Sequence, residues 1–412
     1  MSLQQHPVFH AQRSPDQPAV INASTGAVLS YAELNQASIT WANRLAAAGL
    51  KHGDHVAVMV KNHEGFYPVL WAGLRAGLIV TPISTQLKPQ EALYIAGDCG
   101  AKAVFLDKSI AEQYPELEAG FNELGLCLLL DRHTHEQLLT PAVPQYTELE
   151  GDFMLYSSGS TGFPKGIVAP WARAPIGETL TVALLIQGIF QGGTADRFLV
   201  SAPLYHAAPL HWSCGMLRLG GTVVLMERFD AEAALIAIDS YAVTLSQWVP
   251  TMLVRLLKLP ETARARYHGS SHRAAMHLAA LCPIAVKEQM IEWWGPILHE
   301  FYSGSEGNGQ TYINSADWLS HKGSVGRAIT GEVKILDDQG SELPTGNTGH
   351  VFFAGGRSFD YHNDSAKTEK SRSASGASTL GDMGYVDAEG YLYLTGRSNT
   401  AIISGGVNVY PK

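Results

Sequence analysis

The sequence predicts a layered α/β fold with a mainly parallel sheet and a smaller β-rich part toward its C-terminal end. Three observations lead there. Through the first third of the chain, short apolar runs alternate with amphipathic helical stretches, the pattern of βα units whose strands lie parallel. A second set of the same kind follows a connector at residues 142–152 that contains prolines and acids. From about Gly323 the texture changes to short strands separated by Asp-Asp-Gln-Gly and Pro-Thr-Gly turns.

Each element has its own signal. Ser30 stands as an N-cap, and Glu33 three residues on completes a capping box. Leu34, Trp41, Leu45 and Ala48 then recur at helical spacing until Gly49 stops the run. Residues 55–60 (HVAVMV) read as a short buried strand, and 65–77 as a helix closed by glycine. Residues 101–107 and 126–131 are further strands, each ending on an aspartate, and 153–158 (FMLYSS) is the next. The second set includes DRFLVSAPLYH and GGTVVLME. Residues 384–397 form a hairpin with its turn at 387–390, and the Ser/Ala-rich patch at 371–378 reads as a mobile loop. At 412 residues the chain is too long for one ordinary core. The expected division is 1–150, 151–322, 323–398 and 399–412.

Composition narrows the function classes. The chain is 46% apolar and 16% charged with a formal charge of −9, so it offers no broad basic surface, and a nucleic-acid role is not expected. Cys99, Cys127, Cys214 and Cys282 lie far apart, without CxxC or metal-ligand spacing, as reduced thiols of a cytosolic protein would. The N-terminus has no basic start followed by an apolar run, so no signal peptide is read. The longest apolar stretch, 179–190, is too short and too polar to span a bilayer. A soluble, cytoplasmic protein is expected.

The stretch YSSGSTGFPKG, residues 156–166, sets six consecutive Ser, Gly and Thr residues ahead of Phe-Pro-Lys-Gly. Such residues expose backbone N–H groups and hydroxyls that suit anionic oxygens, and Lys165 adds a point charge fitted to phosphate. It is not a Walker loop, because Lys165 stands between Pro164 and Gly166 rather than opening a helix before Ser or Thr. Alone, it reads first as a solvated Gly/Ser loop.

Its company decides. YSSGSTGFPKG resembles the phosphate-binding signature of the adenylate-forming superfamily, which includes acyl-CoA synthetases, firefly luciferase and peptide-synthetase adenylation domains. FYSGSEG (301–307) is similar to that family's aromatic-Gly-x-Thr-Glu element, LGDMGYVDAEGYLYLTGR to its Thr-Gly-Asp segment running into the hinge, and ISGGVNVYPK to the start of its C-terminal domain. Residues 87–105 and 322–329 match lesser segments, in family order over nearly the whole chain. The resemblance implies an αβαβα N-terminal domain with two parallel-type sheets and a distorted-barrel β subdomain. It implies an ATP-dependent carboxylic acid–CoA ligase acting through an acyl-adenylate, with ATP, Mg²⁺ and CoA.

Residue by residue, the resemblance implies that Ser157, Ser158, Gly159, Ser160, Thr161 and Gly162 hold the β- and γ-phosphates beside Lys165. Thr161 and Glu306 would take Mg²⁺, a hard cation suited to carboxylate and phosphate oxygens. Ser305, where the family usually has Thr, would reach the α-phosphate, and Tyr302 would stack on adenine with Ala280, Leu281, Ser303 and Gly304 around it. Asp382 would accept both ribose hydroxyls, with Arg397 nearby. Tyr205 and His206, in APLYHAAPLHW, match an aromatic gate beside the reacting carboxylate, and Leu278, Ala279 and Gly304 would line the acid. Thr161, Lys165, His206 and Glu306 would carry catalysis. Against these stand a surface Glu306, a core Tyr302, a turn Asp382, an exposed Arg397 and a structural His206.

The departures matter as much. HLAALCP (277–283) occupies the place of a Gly-Gly-Ala-Pro element, with Leu278 for a glycine and Leu281 for a proline, so pocket shape is not carried over. In its Ala-rich character the stretch resembles some bacterial acyl-CoA synthetases that act on lipids and steroid-like acids, which, with Trp293 and Trp294 nearby, implies a bulky hydrophobic acid: fatty, aryl or steroid-like. Amino-acid-activating relatives carry an aspartate near Tyr205-His206, and this chain has none there. A substrate ammonium would be left uncompensated, so an acid without an α-amine is expected. Asn399 and Thr400 replace the usual hinge residues. The chain ends at Lys412, where the resemblance implies a further domain of roughly 100 residues. That domain would bring a lysine worth ~10²–10³ in rate, so a truncated, slow ligase is expected. Loading of a carrier protein, or a non-catalytic acyl-adenylate or acyl-CoA binding module, are the rival functions. The latter is disfavoured because the loop, Glu306 and Asp382 are all present. A homodimer is left open.

Overall fold

Continuous apolar strands cannot tolerate a wet face, and in this protein they are covered on both sides. The computed structural model describes residues 5–157, 164–178 and 182–397, together with the backbones of two short paired strands, Ile402–Ser404 and Val407–Val409. The chain forms two compact units. The first comprises Met1–Tyr156, Trp171–Asp230 and Ser240–Thr244, the second Ser157–Pro170, Ala231–Asp239 and Leu245–Lys412.

In the first unit a five-stranded sheet runs Leu126–Leu130, Ala101–Asp107, His55–Met59, Ile79–Pro82, Asp152–Phe153, every pairing parallel. Val56, Ala57, Val58, Val104, Phe105 and Leu106 are fully buried, as the central strands of a parallel sheet must be. The helix Tyr31–Ala47 opens with the expected capping box: Glu33 N–H donates to Ser30 Oγ at 3.2 Å and Ser30 N–H to Glu33 Oε2 at 2.8 Å. Gly49 follows the helix at φ +89°, a conformation only glycine adopts without strain. A second sheet sets Val28–Ser30 antiparallel to Pro18–Asn22, which runs parallel to Thr222–Leu225 and through it to Arg197–Val200.

The connector at 142–152 is pinned rather than loose. Glu150 is buried and takes both terminal nitrogens of Arg218 at 2.8 and 2.7 Å, while Glu148 pairs with the buried Arg75. The strand expected at 153–158 is divided at Met154 into Asp152–Phe153 and Leu155–Ser157, with Met154 N–H bonded to Val80 O. All four cysteines are free thiols. Among the described residues no helix is long and apolar enough to cross a membrane.

The second unit carries one long sheet that changes character along its width. Leu245–Trp248, Ala274–His277 and Leu298–Tyr302 are parallel. From Gln310–Asn314 onward every pairing is antiparallel, through Ser324–Thr330, Leu392–Arg397, Ser378–Val386, Gly349–Ala354 and Glu332–Leu336. The β-rich part therefore extends the sheet of the α/β part. The expected hairpin turn is present, with Gly390 N–H bonded to Asp387 O and Asp387 Oδ1 accepting from Glu389 and Tyr391 N–H. The 371–378 patch is hydrogen-bonded into a tight turn, Ser373 N–H to Ala377 O at 2.8 Å, with Gly376 at φ +82°.

Candidate active site

The parallel strand Leu298–Tyr302 leads into a glycine-rich turn, and that turn aims a carboxylate. Gly307 N–H closes on Gly304 O at 3.1 Å with Gly307 at φ +64°. A Cβ on Gly304 would stand 2.5 Å from Glu306 Oε2 and 2.6 Å from Leu380, so glycine is what lets the carboxylate lie there. Ser305 is exposed on the same turn.

Glu306 is fixed from outside its own loop. Tyr361, buried in a small cluster with Ile167 and Phe359, donates its hydroxyl to Glu306 Oε1 at 2.8 Å. The strand Asp360–Tyr361 is antiparallel to Lys165–Val168, and His362 N–H extends the pairing to Gly166 O at 2.8 Å. Lys165 thus starts a strand whose partner carries the group that orients Glu306. Its ammonium pairs with Asp364 Oδ2 at 3.2 Å, while Asp364 Oδ1 caps the helix Ser365–Lys370 at Lys367 N–H. On that helix Lys367 lays its ammonium over the Tyr361 ring, 3.7 Å from the centroid.

At the end of the same strand Tyr302 donates its hydroxyl to Asp382 Oδ2 at 2.7 Å, and its ring lies 6.1 Å from that of Phe353. Asp382 and Arg397 face each other across the hairpin, with Arg397 Nε on Asp382 Oδ1 at 2.6 Å. Burial and the adjacent Asp382 push the Tyr302 phenol well above its usual range, so it remains a proton donor. Asp382 is buried on the strand Ser378–Val386, and Tyr302 is partly buried, packed against the cluster of Val325, Ile335, Val351, Phe353 and Leu392.

The remaining expected residues fall less compactly. Leu278 is buried, Ala280 is partly so, and Ala279 and Leu281 are exposed. Ala279 takes φ +74°, a left-handed conformation foreign to alanine, at a turn where the sequence has dispensed with glycine. Tyr205 and His206 belong to the first unit, rings 4.6 Å apart, at the start of the helix Ala207–Arg218. Burial holds His206 below the usual histidine range, hence neutral. Ser157 ends the strand Leu155–Ser157, Ser303 is half-buried, and Ser158, Gly159, Ser160, Thr161 and Gly162 lie outside the described residues.

Tyr361, Asp364 and Lys367 were not anticipated. The sequence signal was present, since Asp364 three residues before Lys367 is a helix-capping pattern, but nothing in it points to Glu306. Among the described residues no group of three or more His, Cys, Asp or Glu could hold a metal ion. A cation here would be shared between the Glu306 carboxylate and phosphate oxygens, which suits a metal that arrives with a nucleotide.

The family model described as AMP-binding enzyme matches residues 9–359. A fatty acid–[acyl-carrier-protein] ligase, ScoC, of Streptomyces coeruleorubidus is 29% identical, the match covering 100% of this chain and 80% of the relative. A feruloyl-CoA synthase of an Amycolatopsis species is 29% identical over 98% of this chain and 80% of its own length. Among solved structures, o-succinylbenzoate CoA synthetase from Bacillus subtilis, a double mutant bound to a product analogue, superposes with a TM-score of 0.81. It is 25% identical, over 99% of this chain and 81% of that one.

Proposed function

The chain belongs to the AMP-binding enzyme family, and from that premise we propose how its residues carry out an ATP-dependent acid–CoA ligation through an acyl-adenylate. The observation that carries the assignment is the connected set in the second unit: Lys165 on Asp364, Tyr361 on Glu306, and Tyr302 and Arg397 on Asp382.

The substrate carboxylate attacks the α-phosphorus of ATP, the bond to the bridging oxygen breaks, and pyrophosphate leaves with that electron pair. Catalysis of such a step is positioning and charge stabilisation. Asp382 presents carboxylate oxygens to the ribose hydroxyls; each oxygen has a second lone pair beyond those used by Tyr302 and Arg397. The bond to Asp382 fixes the plane of the Tyr302 ring for stacking on adenine. Lys165 balances charge at the β- and γ-phosphates, beside the hydroxyl and glycine run that includes Thr161. Glu306 would hold Mg²⁺ jointly with phosphate oxygens, the metal supplying charge neutralisation when bound. Neutral His206, with Tyr205, would line the acid without competing for its charge. In the thioester step the thiol displaces AMP from the acyl carbon.

A hydrophobic acid without an α-amine, fatty, aryl or steroid-like, is the substrate class this reading favours. The support is the buried Leu278, whose N–H bonds to Trp248 O, the tryptophans Trp293 and Trp294 packed with Trp248, and the missing acidic partner for an ammonium. The relatives differ in thiol acceptor, one using a carrier protein and another CoA, so a carrier protein is the second reading. The finer division at 150, 322 and 398 and a cytoplasmic location, where ATP and CoA are found, belong to the same reading. A homodimer would be decided by sedimentation.

The test is mass spectrometry of the chain with Mg·ATP, a panel of aliphatic, aryl and sterol-like acids, and either CoA or a phosphopantetheinyl carrier protein. An acyl-adenylate from one acid class is expected, abolished in Glu306→Ala and Asp382→Ala. Unchanged adenylate formation in both variants would remove the site assignment.

A further inference from the structure

Lys367 has no part in the roles assigned above, yet its setting is that of a ligand-binding cation. Its ammonium is half-buried over the Tyr361 ring and, among the described residues, has no hydrogen bond or ion pair. An ammonium carries three donors and no acceptor, so all three are left for something else. Asp364 does not supply that partner, because one of its oxygens caps the backbone of Lys367 and the other takes Lys165. The cation–π contact itself is weak at such a partly exposed site and does not account for placing a second positive charge beside Lys165.

The neighbourhood is crowded with charge. Burial lowers the Lys367 ammonium below the usual lysine range, Glu306 and Asp364 draw it back up, and Lys165 pushes it down again. Two cations and two carboxylates therefore sense one another where Tyr361 ties the Glu306 turn to the Lys165 strand. A polyphosphate carries several anionic oxygens and would turn this near-balanced cluster into one with surplus negative charge to neutralise. Lys165 reaches it from the strand, Lys367 from the helix Ser365–Lys370.

We propose that Lys367 is a second cation of the phosphate site, donating to the terminal phosphate oxygens of ATP and then to the leaving pyrophosphate. Tyr361 is the platform that aims it, holding Glu306 at its hydroxyl and Lys367 over its ring. The charge that Lys367 meets is the one that grows as the bond from the α-phosphorus to the bridging oxygen breaks, so its contribution lies in leaving-group binding. This inference rests on the nucleotide reading above.

The experiment is calorimetric titration of the protein with magnesium pyrophosphate and, separately, with AMP. The panel is the unaltered protein, Lys367→Met, Lys367→Arg, Lys165→Met and Lys370→Met, the last exposed on the same helix. Loss of a charged hydrogen bond predicts pyrophosphate binding weakened about tenfold or more in Lys367→Met. It should be largely restored in Lys367→Arg and unaffected in Lys370→Met, with AMP affinity constant throughout. Pyrophosphate affinity unchanged in Lys367→Met but reduced in Lys165→Met would overturn the inference and leave the phosphate site standing. An equal loss of AMP affinity in Lys367→Met would also overturn it. Binding of neither ligand by the unaltered protein would remove the nucleotide reading and the inference together.

Discussion

Tyr361 donates its hydroxyl to Glu306 across 2.8 Å while its ring carries the Lys367 ammonium, so one buried aromatic side chain orients an anion and a cation at once. The arrangement exists because Tyr361 sits on a two-residue strand paired to the strand that begins at Lys165. Groups from three separate stretches of sequence are thereby tied together without any of them lying on a long regular element.

Tyr361→Phe separates the two duties. The ring stays to pack with Ile167 and Phe359, and only the hydroxyl goes. Groups that hold a metal ligand in place are typically worth 10–100-fold in metal affinity. The expected outcome is a half-saturating Mg²⁺ concentration for adenylate formation raised about tenfold, with thermal stability little changed. A Mg²⁺ requirement identical to that of the unaltered protein would mean that Glu306 needs no such support.

Much of this was legible in sequence, for reasons that can be named. The capping box at Ser30 and Glu33, the strand of residues 101–107 and the hairpin turn at Asp387 each rest on local chemistry within a few residues. Glu306, Asp382 and Lys165 were singled out because each sits in a short motif. What stayed hidden is what the chain assembles across distance. A strand of two residues, Asp360–Tyr361, has no periodicity to read. Glu150 and Arg218 look like surface charges until folding buries them together. The acids of the connector gave no sign of their partners, the buried Arg75 and Arg218.

Beneath the turn at Leu278 lies a second consequence of long-range assembly. The fully buried Lys287 bonds to Glu300 Oε2, with the Trp318 ring centroid 4.7 Å from its ammonium and His277 Nε2 3.6 Å from the carboxylate. Burial pushes the Lys287 ammonium down and the Glu300 carboxyl up, each toward neutrality. Breaking such a pair by removing one partner typically costs ~3–5 kcal/mol, whereas replacing both by apolar groups is often near neutral. Lys287→Met alone and Glu300→Leu alone are expected to be strongly destabilised, and the double variant to recover most of the loss. Urea unfolding of the four proteins checks this; single losses that simply add would show that the pair is not coupled.

Ala279 offers a gain instead. Its φ of +74° costs an L-residue roughly 1–2 kcal/mol relative to glycine, part of which glycine returns in unfolded-chain entropy. Ala279→Gly is therefore expected to stabilise the protein by about 0.5–1 kcal/mol. Differential scanning calorimetry reads it as a small rise in melting temperature, and a fall would show that the turn does not strain the alanine.

Acid should loosen the second unit through its buried histidines. His272 lies between Ser246 Oγ at 2.7 Å and the Tyr267 hydroxyl at 2.9 Å, and burial lowers it to about 3. His299, bonded to the Tyr312 hydroxyl at 2.8 Å, is lowered to about 4 by burial and by Lys287. Both folded-state values lie below the ~6.5 of an unfolded histidine, so the unfolded chain takes up protons first. Stability is complete above pH ~6.5 and falls as the pH drops toward 4 for His299 and toward 3 for His272. The slope is at most about 1.4 kcal/mol per pH unit for each ring. In the first unit Asp107 and Asp131, held at about 2, begin to matter only below pH ~4. Urea midpoints between pH 7 and 4.5 should decline steadily, and His272→Gln should flatten the decline whatever it does to stability at pH 7. An identical slope in that variant would mean that His272 gains a proton as easily in the folded protein as in the unfolded chain.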